Sequence, residues 1–394
     1  HRCGHRCGRA QRPVCAFSVL ALSIAFFMIE RLALLGTGLI GGSLGLALRD
    51  AHPSLAIVGY DRPSVLDTAY ERDAITARAA DPRTAVADAD VVLFATPLAT
   101  TLRLMDETAD HLSPGTLVTD VASVKQPVMK QASDVLPSTV SFIGGHPMAG
   151  SEHSGIEHAD PLLFENAVYA LCLPPDASPE ALNDTFAPVV DLVESVGGRP
   201  LLLEAAQHDR TAAQVSHLPQ LLAVALVNAL AESDAPDTAL DFAAGGFRDM
   251  TRIAASPFDM WRDILIGNES AIQDALSHFG RLLQRLRNRL LSNDLEALET
   301  LFDTARTTRA RIPREAKGFL HPLANVYLQA PDRPGVLTDF TGVLADDGLN
   351  IKDLELQKFR EGTGSTFRLG FETTSDAEHA AHLLQEAGYD AHRP

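Results

Sequence analysis

A glycine-rich turn between an apolar strand and a helix constrains the fold of this chain more than any other feature. The apolar run at residues 32–35 leads into Gly36, Gly38 and Gly41, and a helical pattern follows. In this context Gly36 permits a tight turn and Gly38 lets the backbone approach a pyrophosphate. Gly41 allows the helix to pack closely on the strand, so that phosphates meet the free N–H groups of the helix N-terminus. The turn predicts a dinucleotide-binding domain; the alternative is a glycine-rich turn without a ligand.

A carboxylate ends the second predicted strand. Residues 56–60 form an extended, mostly apolar run, and Asp61 follows them 20 residues after the third glycine of the turn. An acidic side chain at this spacing binds a ribose 2′-hydroxyl and repels a 2′-phosphate, which favours NAD over NADP, although the adjacent Arg62 keeps NADP open. Thr96 and Pro97 end a later strand at the ligand-binding edge of the sheet, and a simple strand-to-helix turn explains them equally well. The residues expected to bind the cofactor are Gly36, Gly38, Leu39, Ile40, Gly41, Asp61, Thr96 and Pro97.

Short apolar runs alternate with helical stretches from residue 29 to residue 204. The expected strands are residues 32–35, 56–60, 91–95, 116–119, 168–173 and 200–203. Apolar strands separated by helices are typical of a parallel sheet that is covered on both faces. We therefore predict an α/β Rossmann-type doubly wound domain, which binds NAD, over residues 29–204.

The pattern changes after residue 204, because strands disappear and long helical patterns occupy residues 205–311. Residues 218–230 are apolar on nearly all sides and too few to span a membrane, so we expect them to be buried in a helical domain or a dimer. These apolar helices have more surface than one small domain can cover. The sequence therefore predicts an all-α substrate and dimerisation domain, and a homodimer.

The remainder of the chain has the pattern of a third domain. Prolines and a glycine mark residues 312–322 as a linker. Residues 323–394 then read as strand, helix, strand, strand, helix and a short last strand. This order is that of the split βαβ, or ferredoxin-like, α+β fold.

Composition excludes several classes of partner. The 394 residues carry a formal net charge of −18, which repels phosphate backbones and anionic lipids, so we expect no nucleic acid and no membrane partner. Three of the four cysteines lie within residues 1–28, which we interpret as an unstructured or mis-assigned extension. Cys3, His5 and Cys7 lack a second ligand pair at zinc spacing, so no metal is expected. Without a disulfide framework, the chain is typical of the cytoplasm.

Polar side chains are concentrated at three places. Ser123 follows the fourth strand at the ligand edge of the sheet, and His146 lies among glycines and a proline. A histidine in such an irregular loop suits a positioned base, while the alternative is a histidine that only bonds its own loop. His217 and Arg252 lie in the helical region, where cations are needed to hold carboxylates. A structural histidine and a surface arginine are the alternatives for these two.

The motifs in this order resemble the prephenate dehydrogenase family, which includes arogenate dehydrogenases. They are GTGLIGGSL, DVASVK, GHPMAGSE, VSHLP and TRIA, and the match runs from about residue 28 to residue 311. The resemblance implies NAD-dependent oxidative decarboxylation of prephenate to 4-hydroxyphenylpyruvate, in tyrosine biosynthesis. It implies that His146 is the base and that Ser123 orients it. Arg252 and His217 would anchor the substrate carboxylates, and Glu152 would close a polar gate over the site.

The third domain contains PDRPGVL and GLNI, which resemble an ACT domain, a regulatory module that binds amino acids. The resemblance implies feedback inhibition by tyrosine, with an effector site formed by Asp332, Gly335 and Asn350 at a dimer interface. A purely structural dimerisation module is the alternative.

Other functions remain open beside the main one. An arogenate dehydrogenase differs only in an amino group on its substrate, and a non-catalytic NAD and amino-acid sensor would bind without turnover. The chain departs from the family pattern at Ala122, where glycine is frequent, and at Gln220, where histidine is frequent. The second departure removes a group that can carry a positive charge, and it bears on the preference between the two substrates.

Overall fold

The computed structural model describes residues 29–150, 153–312, 323–360 and 364–393, the side chains of residues 358–360 excepted. The predicted extension at residues 1–28, Glu152 and nearly all of the predicted linker lie outside the described residues.

The first domain is built on an eight-stranded sheet with the order β3-β2-β1-β4-β5-β6-β7-β8. Neighbouring strands are parallel, except that β6 and β7 are antiparallel. The strands are β1 (Arg31–Leu35), β2 (Ala56–Tyr60), β3 (Ala77–Arg78), β4 (Val91–Phe94), β5 (Leu117–Asp120), β6 (Ser141–Pro147), β7 (Val168–Cys172) and β8 (Arg199–Leu202).

Helices cover both faces of this sheet. They are α1 (Leu39–Ala51), α2 (Pro63–Glu71), α3 (Pro82–Val86), α4 (Leu98–Thr108), α5 (Gln126–Val135) and α6 (Ala187–Ser195). Within β1, Leu32 and Leu34 belong to one buried apolar cluster, whereas Ala33 and Leu35 belong to a second. Alternate residues of a strand point to opposite faces, so both faces of the sheet are buried, as the continuous apolar runs predict.

The glycine turn explains the close fit of α1 on the sheet. Gly36 has φ +99°, a left-handed conformation that side chains with a Cβ rarely adopt. A Cβ on Gly41 would lie 1.9 Å from the carbonyl oxygen of Gly36. Only glycine at these two positions lets the strand turn at once into the helix.

The second domain is helical and begins with one 27-residue helical run, Ala205–Ala231. It consists of α7 (Ala205–Ala212), a π-helical turn at Ala213–His217 and α8 (Leu218–Ala231). The later helices are α9 (Pro236–Phe242), α10 (Gly245–Thr251), α11 (Phe258–Gly267), α12 (Glu269–Leu291) and α13 (Leu295–Ala310). His217 lies inside this helical run, directly before α8. It ends the π-helical turn, and such turns are frequent at functional sites.

The run Ala205–Ala231 has a mean hydropathy of 1.3 and is long enough to cross a membrane by length and composition alone. Its first half carries His208 and Asp209, which are buried against the first domain. Within α8 only Gln220 and Ala223 are buried, whereas Leu226 and Val227 are exposed. The expected burial of this helix is therefore not achieved within a single chain, because the described part of the chain supplies too few apolar neighbours.

The third domain forms a four-stranded antiparallel sheet with two helices on one face. Its elements are β9 (Ala324–Ala330), α14 (Val336–Asp346), β10 (Asp353–Arg360), β11 (Gly364–Phe371), α15 (Thr374–Glu386) and β12 (Asp390–His392). The strand order is β10-β11-β9-β12, which is the order of the split βαβ fold. Its core includes Leu328, Phe340 and Leu384.

Candidate active site

His146 lies in strand β6 and not in an irregular loop, which corrects the interpretation of its glycine and proline neighbours. It pairs with Ala170 of the antiparallel strand β7. A Cβ on the preceding Gly145 would lie 2.4 Å from the carbonyl oxygen of Asp120. The glycine therefore serves the close approach of two strands, a role that glycine also takes in regular sheets.

A buried ion pair holds the backbone that carries His146. Lys125 and Asp120 are both fully buried, and the Lys125 ammonium donates to the Asp120 carboxylate and to the carbonyl oxygen of Gly145. The Gly145 N–H donates in turn to Asp120 Oδ1 over 3.0 Å. Both polar groups of the residue before His146 are thereby bonded to one ion pair.

The His146 ring is held by a second histidine from the helical domain. His146 Nδ1 lies 2.8 Å from His208 Nε2, and His208 Nδ1 lies 2.8 Å from Asp209 Oδ1. His208 and Asp209 are not among the residues that the sequence motifs predict for the site. The sequence signal that could have indicated them is their position as adjacent polar residues near the start of the long apolar helical run. Among the described residues none hydrogen-bonds to Nε2 of His146.

Asp209 joins the two domains at the N-terminus of α5. Its carboxylate accepts the N–H of Lys125 over 2.7 Å and the N–H of Gln126 over 2.9 Å. Burial alone would raise the pKa of Asp209, but hydrogen bonds from His208 and from these two N–H groups outweigh it and lower the pKa. Asp209 is therefore ionised at neutral pH.

The histidines that face the site interior are neutral. Burial, helped by the neighbouring His208, Lys125 and His217, holds the pKa of His146 well below its usual range. Burial also lowers the pKa of His217 to about 4, although the charge of Asp209 opposes the shift. His217 Nδ1 lies 3.2 Å from the side-chain amide of Asn268. At pH 7 both imidazoles therefore have a nitrogen that can accept a proton or a hydrogen bond.

The other predicted substrate residues occupy different positions. Ser123 is half-buried in the loop between β5 and α5. Arg252 is exposed and begins the short 3₁₀ turn Arg252–Ala255, and the carbonyl oxygen of Ile253 in that turn accepts a 3.0 Å hydrogen bond from buried Gln220. Gln220 therefore supports the turn that carries Arg252. Glu152 lies outside the described residues, so its predicted position at the site stays a prediction.

The glycine turn leaves room for a dinucleotide. Helix α1 makes its first bond from the Gly42 N–H to the Gly38 carbonyl, which leaves the N–H groups of Leu39 and Ile40 pointing out of the helix end. Nothing lies within 4 Å of a Cβ placed on Gly38. The space that phosphates need is thus present where the motif predicts it.

A cavity of about 600 Å³ lies beside the end of β2 and is lined in part by Asp61, Arg62, Arg78 and Thr96. The Asp61 carboxylate accepts the N–H of Thr37 over 2.8 Å, which fixes it at the end of β2. A carboxylate in this position suits a ribose with a free 2′-hydroxyl, and the guanidinium groups of Arg62 and Arg78 lie in the same lining. Pro97 is exposed and precedes α4.

The glycine turn after β1 can hold a dinucleotide, and the buried neutral imidazole of His146 lies on β6 of the same sheet. This combination is typical of the class of NAD-dependent dehydrogenases. Comparison with known families gives the particular one. Residues 44–202 match the nucleotide-binding domain of prephenate dehydrogenase, and residues 204–304 match its dimerization domain. The chain belongs to the prephenate dehydrogenase family.

Relatives and solved structures agree with this assignment. The chain is 34% identical over 361 residues to prephenate dehydrogenase of Bacillus subtilis, an alignment that covers 91% of this chain and 96% of that protein. Synechocystis arogenate dehydrogenase has 30% identity and a TM-score of 0.64, covering 72% of this chain and all of that one. The Aquifex aeolicus prephenate dehydrogenase, solved with hydroxyphenyl propionate and NAD⁺, has 28% identity, a TM-score of 0.66, and coverage of 72% and 98%.

These findings confirm the predictions of an NAD-dependent oxidoreductase of this family and of NAD as its cofactor. The alignment with the Bacillus protein is too long for the first two domains alone. It therefore includes much of the third domain.

Proposed function

We propose that this protein converts prephenate and NAD to 4-hydroxyphenylpyruvate, carbon dioxide and NADH. The observation that carries the proposal is the neutral imidazole of His146, which keeps Nε2 without a partner among the described residues. A base in this state accepts the proton of a hydroxyl group while that carbon is oxidised. Family membership supports the choice of substrate.

The reaction combines a proton transfer, a hydride transfer and a decarboxylation. His146 Nε2 takes the proton of the ring C4 hydroxyl, so that the oxygen becomes a carbonyl as hydride leaves C4. Bound NAD supplies the hydride acceptor. The bond between C1 and the ring carboxylate then breaks, carbon dioxide leaves, and its electron pair restores the aromatic ring. The phenol oxygen regains a proton, and aromatisation makes the sequence irreversible.

The remaining residues bind and orient. Ser123 would hydrogen-bond the C4 hydroxyl beside His146, and Arg252 would pair with a substrate carboxylate. His217, neutral at pH 7, would hydrogen-bond a second carboxylate, and Glu152 would close the polar gate. Residues Gly36, Gly38, Leu39, Ile40 and Gly41 would hold the pyrophosphate, Asp61 the ribose hydroxyl, and Thr96 and Pro97 would border the cofactor.

The test is NADH formation by purified protein supplied with prephenate or arogenate, each with NAD or NADP. Reduction of NAD that depends on prephenate supports the proposal. Activity with arogenate alone would reassign the substrate, and preference for NADP would contradict the role of Asp61. Binding of NAD without turnover of either substrate would make the protein a sensor.

Arg252→Gln is expected to raise the Michaelis constant for prephenate about ten- to a hundredfold, because a charged hydrogen bond contributes about 1.5–3 kcal/mol. Turnover at saturation should change less, since the contact serves the ground state and the transition state alike. Steady-state kinetics measure both constants. Arg262→Gln is the matched control, because Arg262 lies on α11 and pairs with exposed Asp259. An unchanged Michaelis constant in Arg252→Gln would remove Arg252 from the substrate site.

A homodimer is the assembly we expect. The second domain matches a dimerization domain, and Leu276, Leu283 and Leu290 of α12 are exposed at seven-residue intervals. Such a stripe packs against a partner helix. A dimeric biosynthetic enzyme of this composition suits the cytoplasm.

The third domain is proposed to be an ACT-like regulatory domain that binds tyrosine. Gly335 has φ +85° and precedes α14, and Asp332 lies in the same turn, whereas Asn350 follows the other end of this 11-residue helix. A helix of that length separates its ends by about 16 Å. The three residues therefore do not form one pocket within a chain, and a second copy would have to supply one side of the effector site.

Tyrosine is expected to inhibit the full-length enzyme, and Asn350→Ala should weaken the inhibition without altering the uninhibited rate. The measurement is NADH formation against tyrosine concentration for both proteins. Gln357→Ala, which changes an exposed residue of strand β10, serves as the control. Inhibition that is equal in both variants and purely competitive with prephenate would place tyrosine at the active site, and the third domain would then be structural.

A further inference from the structure

His208 stands between an anion and the proposed base. Its side chain is only 3% exposed, and its two ring nitrogens each have one partner at 2.8 Å, namely Asp209 Oδ1 and His146 Nδ1. The His146 and His208 rings meet edge to face, with an interplanar angle of 68° and a centroid separation of 5.0 Å. The contact is therefore a hydrogen bond between ring nitrogens and not a stack.

The direction of these hydrogen bonds follows from Asp209. An ionised carboxylate only accepts, and its oxygens already accept the N–H groups of Lys125 and Gln126. His208 must then donate from Nδ1. If His208 carries one ring proton, that proton is the one on Nδ1, and Nε2 of His208 can then only accept. The hydrogen bond between the two histidines then requires His146 to donate from Nδ1 to Nε2 of His208.

We propose that His208 and Asp209 are positioning residues that hold His146 in the Nδ1–H tautomer, so that its Nε2 lone pair faces the substrate. The proposal rests on the role of His146 as the base. It goes beyond that role because it states which residues determine where the ring proton lies. With the opposite tautomer, Nε2 would carry a hydrogen and could not accept one from the substrate.

Asp209 orients His208 because it is itself fixed. It lies on α7 of the helical domain, whereas the N–H groups it accepts belong to the N-terminus of α5 in the first domain. The first turn of a helix presents unpaired N–H groups and a partial positive charge, which favour a carboxylate. The side-chain amide of Asn268 also donates to the backbone carbonyl of Asp209 over 2.8 Å. Side chain and backbone of this residue are thus both held.

The direct test is a spectroscopic one on the full-length protein with ¹⁵N-labelled histidine. Long-range ¹H–¹⁵N correlation spectra distinguish a nitrogen that carries a proton from one that does not. The signals of His146 are identified by their disappearance in His146→Asn. We expect a proton on Nδ1 and none on Nε2 at neutral pH. A proton on Nε2, or on both nitrogens, would overturn the proposal.

A pair of substitutions at His208 separates the hydrogen bond from packing. Glutamine can accept from His146 and donate to Asp209, whereas leucine fills similar space but does neither. His208→Leu is expected to lower kcat about a hundredfold with an unchanged NAD affinity, and to let both tautomers of His146 appear in the spectrum. His208→Gln should recover most of kcat and retain the Nδ1–H signal.

These experiments also distinguish the positioning role of His208 and Asp209 from the role of His146 as the base. If His146→Asn remains active, His146 is not the base, yet the wild-type spectrum still reports whether Asp209 and His208 fix its tautomer. If His146→Asn is inactive and His208→Leu keeps full kcat, the base is confirmed and the positioning role is overturned. Equal losses in His208→Leu and His208→Gln would indicate packing alone and would also overturn it.

Discussion

Replacing His146 with asparagine is expected to reduce turnover by a factor of about 10² to 10⁴, the usual contribution of a positioned acid or base. Asparagine is similar in size and can keep a hydrogen bond to His208, but its amide cannot take a proton at neutral pH. The affinity for NAD should stay the same, because the cradle at Gly38 and Asp61 is built from other elements. Steady-state kinetics and a direct titration with NAD measure the two effects.

His111→Asn is the matched control for this experiment. His111 is exposed in the short turn after α4, so its loss should leave turnover unchanged. Added imidazole offers a second check, because a small base that enters the vacated space can restore part of the rate. Turnover within a factor of about two of wild type in His146→Asn would exclude His146 as the base.

Replacing Lys125 with methionine is expected to destabilise the first domain by about 3–5 kcal/mol, because it leaves the Asp120 charge buried without a cation. Both side chains are fully buried, so water cannot compensate for the lost partner. The bond from Lys125 to the Gly145 carbonyl disappears as well, and the strand that carries His146 loses one of its anchors. Chemical denaturation followed by circular dichroism measures the change.

Lys130→Met is the matched control on the next turn of the same helix. Lys130 pairs with Asp134 over 2.5 Å, but their side chains are 76% and 53% exposed. Exposed pairs of this kind contribute about 0–1 kcal/mol. The double variant Asp120→Asn/Lys125→Met removes both charges and should recover part of the lost stability. If Lys125→Met and Lys130→Met unfold at the same denaturant concentration, the buried pair does not stabilise the fold.

Local patterns in the sequence predict much of this molecule. The strand at 56–60 is found where hydrophobic periodicity indicates it, because this signal depends on neighbours along the chain. The glycine turn is an equally local signal. In the structure a Cβ on Gly36 or Gly41 would clash with nearby backbone atoms, which explains why the motif has glycine at both positions. The succession of strands and helices in the third domain is that of the split βαβ fold, and its sheet has the strand order of that fold.

Contacts between distant segments were beyond sequence reasoning. His146 lies in a strand because it pairs with Ala170, a partner that its glycine and proline neighbours do not reveal. His208 looks like an ordinary helical residue until the fold brings it to His146, 62 positions earlier in the chain. The π-helical turn before Leu218 is likewise invisible to a period of 3.6 residues. Tertiary pairing decides each of these features.

The carboxylate of Asp209 has a consequence for how the enzyme assembles. It comes from the helical domain, yet it caps a helix of the nucleotide-binding domain and anchors the histidine behind His146. A nucleotide-binding domain folded in isolation would retain its glycine turn and Asp61. It would lack His208, the residue that we propose to keep the ring proton of His146 on Nδ1. If His146 is the base that we propose, docking of the helical domain completes the active site, and the isolated nucleotide-binding domain would bind NAD without turning over substrate.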